Sequence, residues 1–188
     1  MRPACALLLL CALAAPGRAE PVVYTLDPTH SFVHFELMHF GTSTIRGRFG
    51  PVSGSVTLDR AAASGSVAVT VATASVSTGL RVFDARIRER DLLASDEFAQ
   101  ASFVSERFRF EGDRLAEVRG AFTLRGVTQP LSLHARHFAC EQRRFLPREV
   151  CGGDFEAEIS RSAFGAGFGL PFVSDRVRLL VQVEGIRQ

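Results

Sequence analysis

Lysine and tryptophan are absent from this sequence, and tyrosine occurs once. All 22 basic residues are therefore arginine, a bias of base composition from which nothing about chemistry follows. These arginines are scattered among 20 acidic residues rather than gathered in a block, which excludes a nucleic-acid-binding face. The sequence also lacks an apolar run of the ~20 residues that a membrane-spanning helix requires. The apolar stretch from Ala4 to Ala15 is too short for that role. With Arg2 before it and small residues in Gly17-Arg18-Ala19 after it, it predicts a secretory signal peptide over residues 1–19, cleaved before Glu20. A lipid-anchored alternative at Cys11 fails because Leu10 is bulky where that signal requires a small residue.

Cleavage would leave residues 20–188 as one domain, large enough to bury about 70% of its unfolded surface. It would also remove Arg2 and Arg18 and take the formal net charge from +2 to zero. Of the four cysteines only Cys140 and Cys151 would remain, an even pair in an exported chain, which predicts a disulfide. Two cysteines this far apart, with no histidine beside them, do not make a zinc site. The bridge would close a polar excursion that contains Arg143, Arg144, Pro147 and Arg148. Against one tyrosine stand 16 phenylalanines. Phe brings apolar area with no polar tip to satisfy, which suits either a packed core or a cavity for a wholly apolar ligand.

Alternation at period two dominates the pattern. Val33, Phe35 and Leu37 share one face; Ile45, Gly47 and Phe49 follow after Gly41; Gly54, Val56 and Leu58 follow Gly50-Pro51. These three segments read as a β-meander. Ser66 to Val71 reads as another strand. Further strands are predicted from Phe103 to Phe110, Leu115 to Leu124, Gln129 to Phe138, Phe155 to Ile159 and Val177 to Ile186. Between Thr78 and Asp91 the period changes, and Leu80, Phe83 and Ile87 fall at helical spacing among charged residues. The fold expected is all-β, an antiparallel barrel of about eight strands with one short amphipathic helix; a sandwich stays open as the alternative. The stretch from Ala163 to Phe172 is unusually apolar for a loop and reads equally as a cover over a cavity mouth or as a packed barrel end.

Asp27-Pro28-Thr29-His30-Ser31, the alternation up to His39, Ile45-x-Gly47-x-Phe49 and Gly54-x-Val56-x-Leu58-Asp59 resemble the amino-terminal half of the YceI-like family. The resemblance continues through Arg90-Asp91-Leu92-Leu93-x-Ser95-x-x-Phe98, Phe103-x-Ser105, Gly120-x-Phe122-Thr123-Leu124-x-Gly126-Val127-Thr128-x-Pro130 and Phe155-x-Ala157-x-Ile159-x-Arg161-Ser162-x-Phe164-Gly165. It covers nearly all of residues 20–188, and the Cys140 and Cys151 insert is similar to a subset of the family. The resemblance implies a lipocalin-like barrel, periplasmic or secreted, that binds polyisoprenoids or other long-chain lipids. Some relatives similar to the disulfide subset are joined to membrane cytochrome domains. That keeps a second reading in view, an accessory protein of a membrane redox system that binds an isoprenoid quinone or acts through protein contacts.

No G-x-S-x-G elbow, paired-carboxylate motif or free cysteine offers a seat for catalysis, so a binding protein rather than an enzyme is expected. Among the histidines, His30 and His34 share strand parity, His39 has the opposite parity, and His134 and His137 fall on opposite faces. Two ligands are too few for a metal, and no metal or cofactor is expected beyond a bound isoprenoid. His30 reads instead as a partner of Asp27 and Ser31 in the Asp-Pro turn, and Arg161 as a partner of Asp175. The inward candidates for ligand contact are Val33, Phe35, Leu37, Ile45, Phe49, Val69, Val71, Phe122 and Leu133, with Leu80, Phe83, Phe164 and Phe168 near the mouth. A homodimer is left open by the sequence.

Overall fold

The computed structural model describes residues 20–142 and 147–188. The expected signal segment, residues 1–19, lies outside them, as do Arg143 and Arg144 of the excursion between the cysteines. The period-two pattern becomes ten strands: β1 (Val22–Leu26), β2 (Phe32–His39), β3 (Ser43–Phe49), β4 (Val52–Asp59), β5 (Ser64–Ala72), β6 (Gln100–Glu111), β7 (Arg114–Leu124), β8 (Val127–Gln142), β9 (Glu149–Ser160) and β10 (Arg176–Arg187). Among the described residues the one α-helix, α1, spans Arg81–Ile87. All pairings are antiparallel, in the order β1-β4-β5-β6-β7-β8-β9-β10-β2-β3, and a further pairing of β1 with β10 closes the ring.

Ten strands make eight staves. β1 and β2 lie end to end along β10, residues 24–26 against 185–187 and residues 32–36 against 178–182, with a break at residues 27–31. β3 pairs with β2 and β4 pairs with β1, so β3 and β4 are likewise two halves of one stave. This corrects the meander expected for the first three segments. The chain bends at the cis Gly50-Pro51 peptide without reversing, and β4 takes β1 and β5 as its neighbours. A Cβ at Gly50 would stand 2.4 Å from the Phe32 ring, so glycine lets the chain pass this corner.

Inward positions carry the apolar residues. Val177, Leu179, Val181 and Val183 of β10 lie opposite Ile159, Ala157, Phe155 and Gly153 of β9. Phe35 is paired with Gly47, and a Cβ there would come 2.5 Å from its ring, so the missing side chain is the space the phenyl group fills. The register of β8 shifts between Ala135 and His137. The extra residue puts His134 and His137, opposite Glu156 and Asp154, on the same exposed outer face, contrary to their sequence parity.

Antiparallel alternation sends the turns at residues 60–63 and 112–113, with the end of β8 at Gln142 and the start of β9 at Glu149, to one end of the barrel and the connections at 40–42, 73–99, 125–126 and 161–175 to the other. The first end is closed. Cys140 and Cys151 are direct register partners joined by the expected disulfide. Beside them Tyr24, 2% exposed, packs with Leu58 and donates to Glu149 Oε2 at 3.0 Å. Burial and the Glu149 carboxylate push the Tyr24 phenol above its ordinary value.

Candidate ligand cavity

At the other end the inward side chains leave a cavity of about 500 Å³. Its wall is apolar because strand alternation puts one row of Val, Leu, Ile and Phe from each stave inside. Val33, Phe35, Leu37, Ile45, Phe49, Val69, Val71, Phe122 and Leu133 all line it, as do Phe83 and Phe168 at the mouth. Leu80 and Phe164 do not. Leu80 directly precedes α1 with extended backbone (φ −122°, ψ 104°), so helical spacing fails there and the side chain is 59% exposed. Phe164 is buried behind the lining, its ring edge-on to Phe122 at 5.4 Å.

The inward row of β10, Val177, Leu179, Val181 and Val183, also lines the cavity, as do Phe103 of β6 and Ile159 of β9. Their period-two signal is present in the sequence, yet it does not by itself single them out as wall residues. In β10 the run Leu179-Leu180-Val181 interrupts the alternation and hides which residues face inward.

The polar groups at the wall gather near the mouth. Thr70, Thr73, Ser102, His39, Arg86 and Arg161 contribute to it, and among the described lining residues none is Asp or Glu. Arg161 is 6% exposed. Its Nε donates to the Ser174 carbonyl at 2.8 Å, its Nη1 to those of Ala166 (2.5 Å) and Phe168 (2.9 Å), and its Nη2 to that of Val173 (2.9 Å). The pairing with Asp175 read from the sequence is thereby corrected. The Asp175 carboxylate instead accepts from the Ser160 and Ser162 hydroxyls and the Ser162 N–H. Burial draws the Arg161 pKa down, and the nearby Asp175 charge partly opposes this. Four carbonyls on one guanidinium fix the apolar loop at the mouth, since each would otherwise be an acceptor removed from water.

The other mouth segments are held in the same manner. Asp84 of α1 accepts from Thr78 N (2.6 Å) and Oγ1 (2.7 Å), setting the entry to the helix. Arg125 donates to the carbonyls of Arg90 (2.9 Å) and Leu92 (2.5 Å), tying the segment after α1 to the β7–β8 turn. The 166–173 loop meets α1 where the Arg86 guanidinium covers the Phe168 ring at 4.1 Å.

His30 and His34 do not meet as a pair. β2 turns His34 outward, since Val33, Phe35, Leu37 and His39 form the inward row. His30 shares a 2.7 Å hydrogen bond from Nδ1 with Asp27 Oδ2, while Asp27 Oδ1 accepts from Thr29 N and Oγ1. Asp27, His30 and Glu184 bring one ligand atom each within 4.8 Å of one another. Ser31, fully buried, bonds through Oγ to both the N–H and the carbonyl of Glu184, locking the break between β1 and β2 to β10.

The YceI-like domain family model matches residues 24–185. Protein YceI of Escherichia coli O157:H7 is 32% identical over 175 residues, covering 92% of this chain and 91% of the relative. A UPF0312 protein of Pseudomonas aeruginosa (strain LESB58) is 34% identical over 186 residues, 97% of this chain and 96% of the relative. Among solved structures, Burkholderia cenocepacia BcnA superposes with a TM-score of 0.71 at 24% identity, over 85% of this chain and 98% of that one. A polyisoprenoid binding domain from Saccharophagus degradans, implicated in plant cell wall breakdown, superposes with a TM-score of 0.62 at 17% identity, over 88% and 98% of the two chains.

Proposed function

This chain belongs to the YceI-like family, and from that premise we propose that it is an exported binding protein that carries or scavenges an isoprenoid or comparable long-chain lipid, with the tail inside the barrel. One observation carries the reading: an apolar cavity of about 500 Å³, closed at the disulfide end and bordered at the other by a loop that a buried arginine holds in place. That volume lies within the roughly 300–1,000 Å³ of ligand pockets. A lipid tail that buries ~500 Å² gains roughly 12 kcal/mol gross at 25 cal/mol per Å², against an association cost of about 4–15 kcal/mol. Apolar contact alone therefore supports useful affinity, and the absence of acids among the described lining residues suits an uncharged tail. The Saccharophagus degradans domain, described as polyisoprenoid binding, has the same fold and favours this ligand class. The signal segment read in residues 1–19 supports a periplasmic or extracellular address, a compartment in which a disulfide is stable.

Native mass spectrometry of protein purified from its own host, followed by organic extraction, tests the reading. The expected result is a discrete added mass with polyprenyl-type fragments. A clean apo mass that persists after challenge with polyprenyl lipid overturns it.

A further inference from the structure

The mouth of the cavity is rimmed by apolar side chains that face water. Phe40 and Phe172 stack at 5.5 Å yet are 58% and 64% exposed. Leu80 and Val82 project where the chain enters α1, Val82 at 74% exposure. Val82 lies one turn before Arg86 on the helix, and Arg86 covers Phe168, so helix and loop present one continuous rim. A contiguous apolar rim on a soluble surface marks a contact site.

The backbone argues that this rim is not a by-product of folding. Phe40 stands at φ +50° in the β2–β3 turn, followed by Gly41 at +68°, a geometry that favours Asn, Asp or Gly and strains an aromatic residue. The strained position places the ring on Phe172 at the mouth instead of in the core. Charge is distributed in the same sense. The carboxylates of α1 and of the turn that ends it are engaged locally, Asp84 by Thr78 and both Glu89 and Asp91 by Arg86, while Asp96 and Glu97 farther along are exposed. Arg81, between Leu80 and Val82, and Arg90 are exposed and have no carboxylate within ion-pair distance among the described residues. Cations interleaved with protruding apolar groups are the pattern of a surface that lies on an anionic bilayer.

We propose that the rim formed by Phe40, Leu80, Val82, Phe168 and Phe172 docks on a lipid bilayer, with Arg81 and Arg90 meeting anionic head groups, so that the cavity mouth opens against the membrane. The proposal extends the lipid-binding reading, because a long apolar tail crosses water too slowly to be exchanged without such contact.

Flotation with phosphatidylcholine vesicles, with and without phosphatidylglycerol, tests it. The protein is expected to float with vesicles that contain phosphatidylglycerol, less so as salt rises. The double variant Leu80→Ser/Val82→Ser is expected to bind them about tenfold more weakly, the effect of withdrawing one well-buried aliphatic side chain's worth of contact. Neither residue lines the cavity, so this variant is expected to keep its melting temperature and any extracted cargo. Arg81→Ser is expected to weaken binding only to the anionic vesicles. Failure to float with either vesicle, or equal binding by the double variant, overturns the docking surface. So does a dimer in sedimentation that dissociates in the double variant while vesicles are ignored, which assigns the rim to self-association. Vesicle binding by a protein that never yields cargo leaves docking intact and removes the lipid-holding reading. Cargo without vesicle binding removes docking alone.

Discussion

Two side chains show how much of this fold depends on single polar groups. Arg161 stabilises the mouth loop through four backbone carbonyls, and the planar fork that reaches them has no equivalent in lysine. Arg161→Lys is expected to destabilise the protein by about 3 kcal/mol, the effect of leaving buried carbonyls without donors. Chemical denaturation measures it, and a loss below about 1 kcal/mol would deny the guanidinium its role. Asp27 provides a pH signature. Hydrogen bonds from His30 and Thr29 hold its carboxyl at about 2, against an ordinary 3.8. A carboxyl depressed in the folded state adds stability that is complete above its unfolded value and is lost as pH falls through the folded one. The stability difference between the protein and Asp27→Asn is therefore expected to close as pH falls from about 4 toward 2. A difference that stays flat through that window would refute the assignment. The Asp-Pro turn was legible in the sequence, because Asp, Thr and His at these offsets form local side-chain bonds. The partners of Arg161 were not, because its carbonyls belong to a loop whose path is fixed only on folding.

At the scale of elements, alternation found most strands and missed how they join. β1 was not read at all, because five residues give too few repeats of the pattern. The bend between β3 and β4 looked like a hairpin, because Gly-Pro signals a turn without saying whether the chain reverses. The bulge in β8 likewise overturned the parity of His134 and His137, since one inserted residue reverses every later assignment. The disulfide belongs to this scale as well, linking β8 to β9 at directly paired register positions with a separation of 11 residues. Closing so short a loop contributes about 2–3 kcal/mol. Reduction, or the Cys140→Ser/Cys151→Ser double variant, is expected to lower the melting temperature by roughly 5–10 °C while the far-ultraviolet dichroism stays that of a β protein. An unchanged melt would remove the bridge from the stability of the closed end.

For the whole molecule, the decisive property is that the barrel is filled at one end and hollow at the other. The eight staves bring large side chains together around Tyr24, Leu58 and Cys151, whereas near the mouth the Val- and Leu-rich rows leave space. Filling that space should displace ligand without unfolding the barrel. Val69→Phe, at a half-buried wall position paired with Phe103, is expected to lower co-purified lipid at least severalfold with little change in melting temperature. Phe35→Arg is expected to abolish lipid retention by placing a charge in the wall, and Val69→Phe keeps the test available if that variant fails to fold. Wild-type lipid content in a folded Val69→Phe protein would place the ligand elsewhere.

The amino-acid sequence by itself determined the β character, the inward rows of β2, β3 and β5, the cysteine pairing and the apolar character of the wall. Those properties follow from residue chemistry and from a two-residue period that local backbone geometry imposes. Only the tertiary structure decided that ten strands close as eight staves, that Leu80 leaves the helical face while Phe164 passes behind the wall, and that an arginine ties down the mouth loop. These depend on contacts between residues far apart in the chain, whose geometry exists only once the barrel has closed.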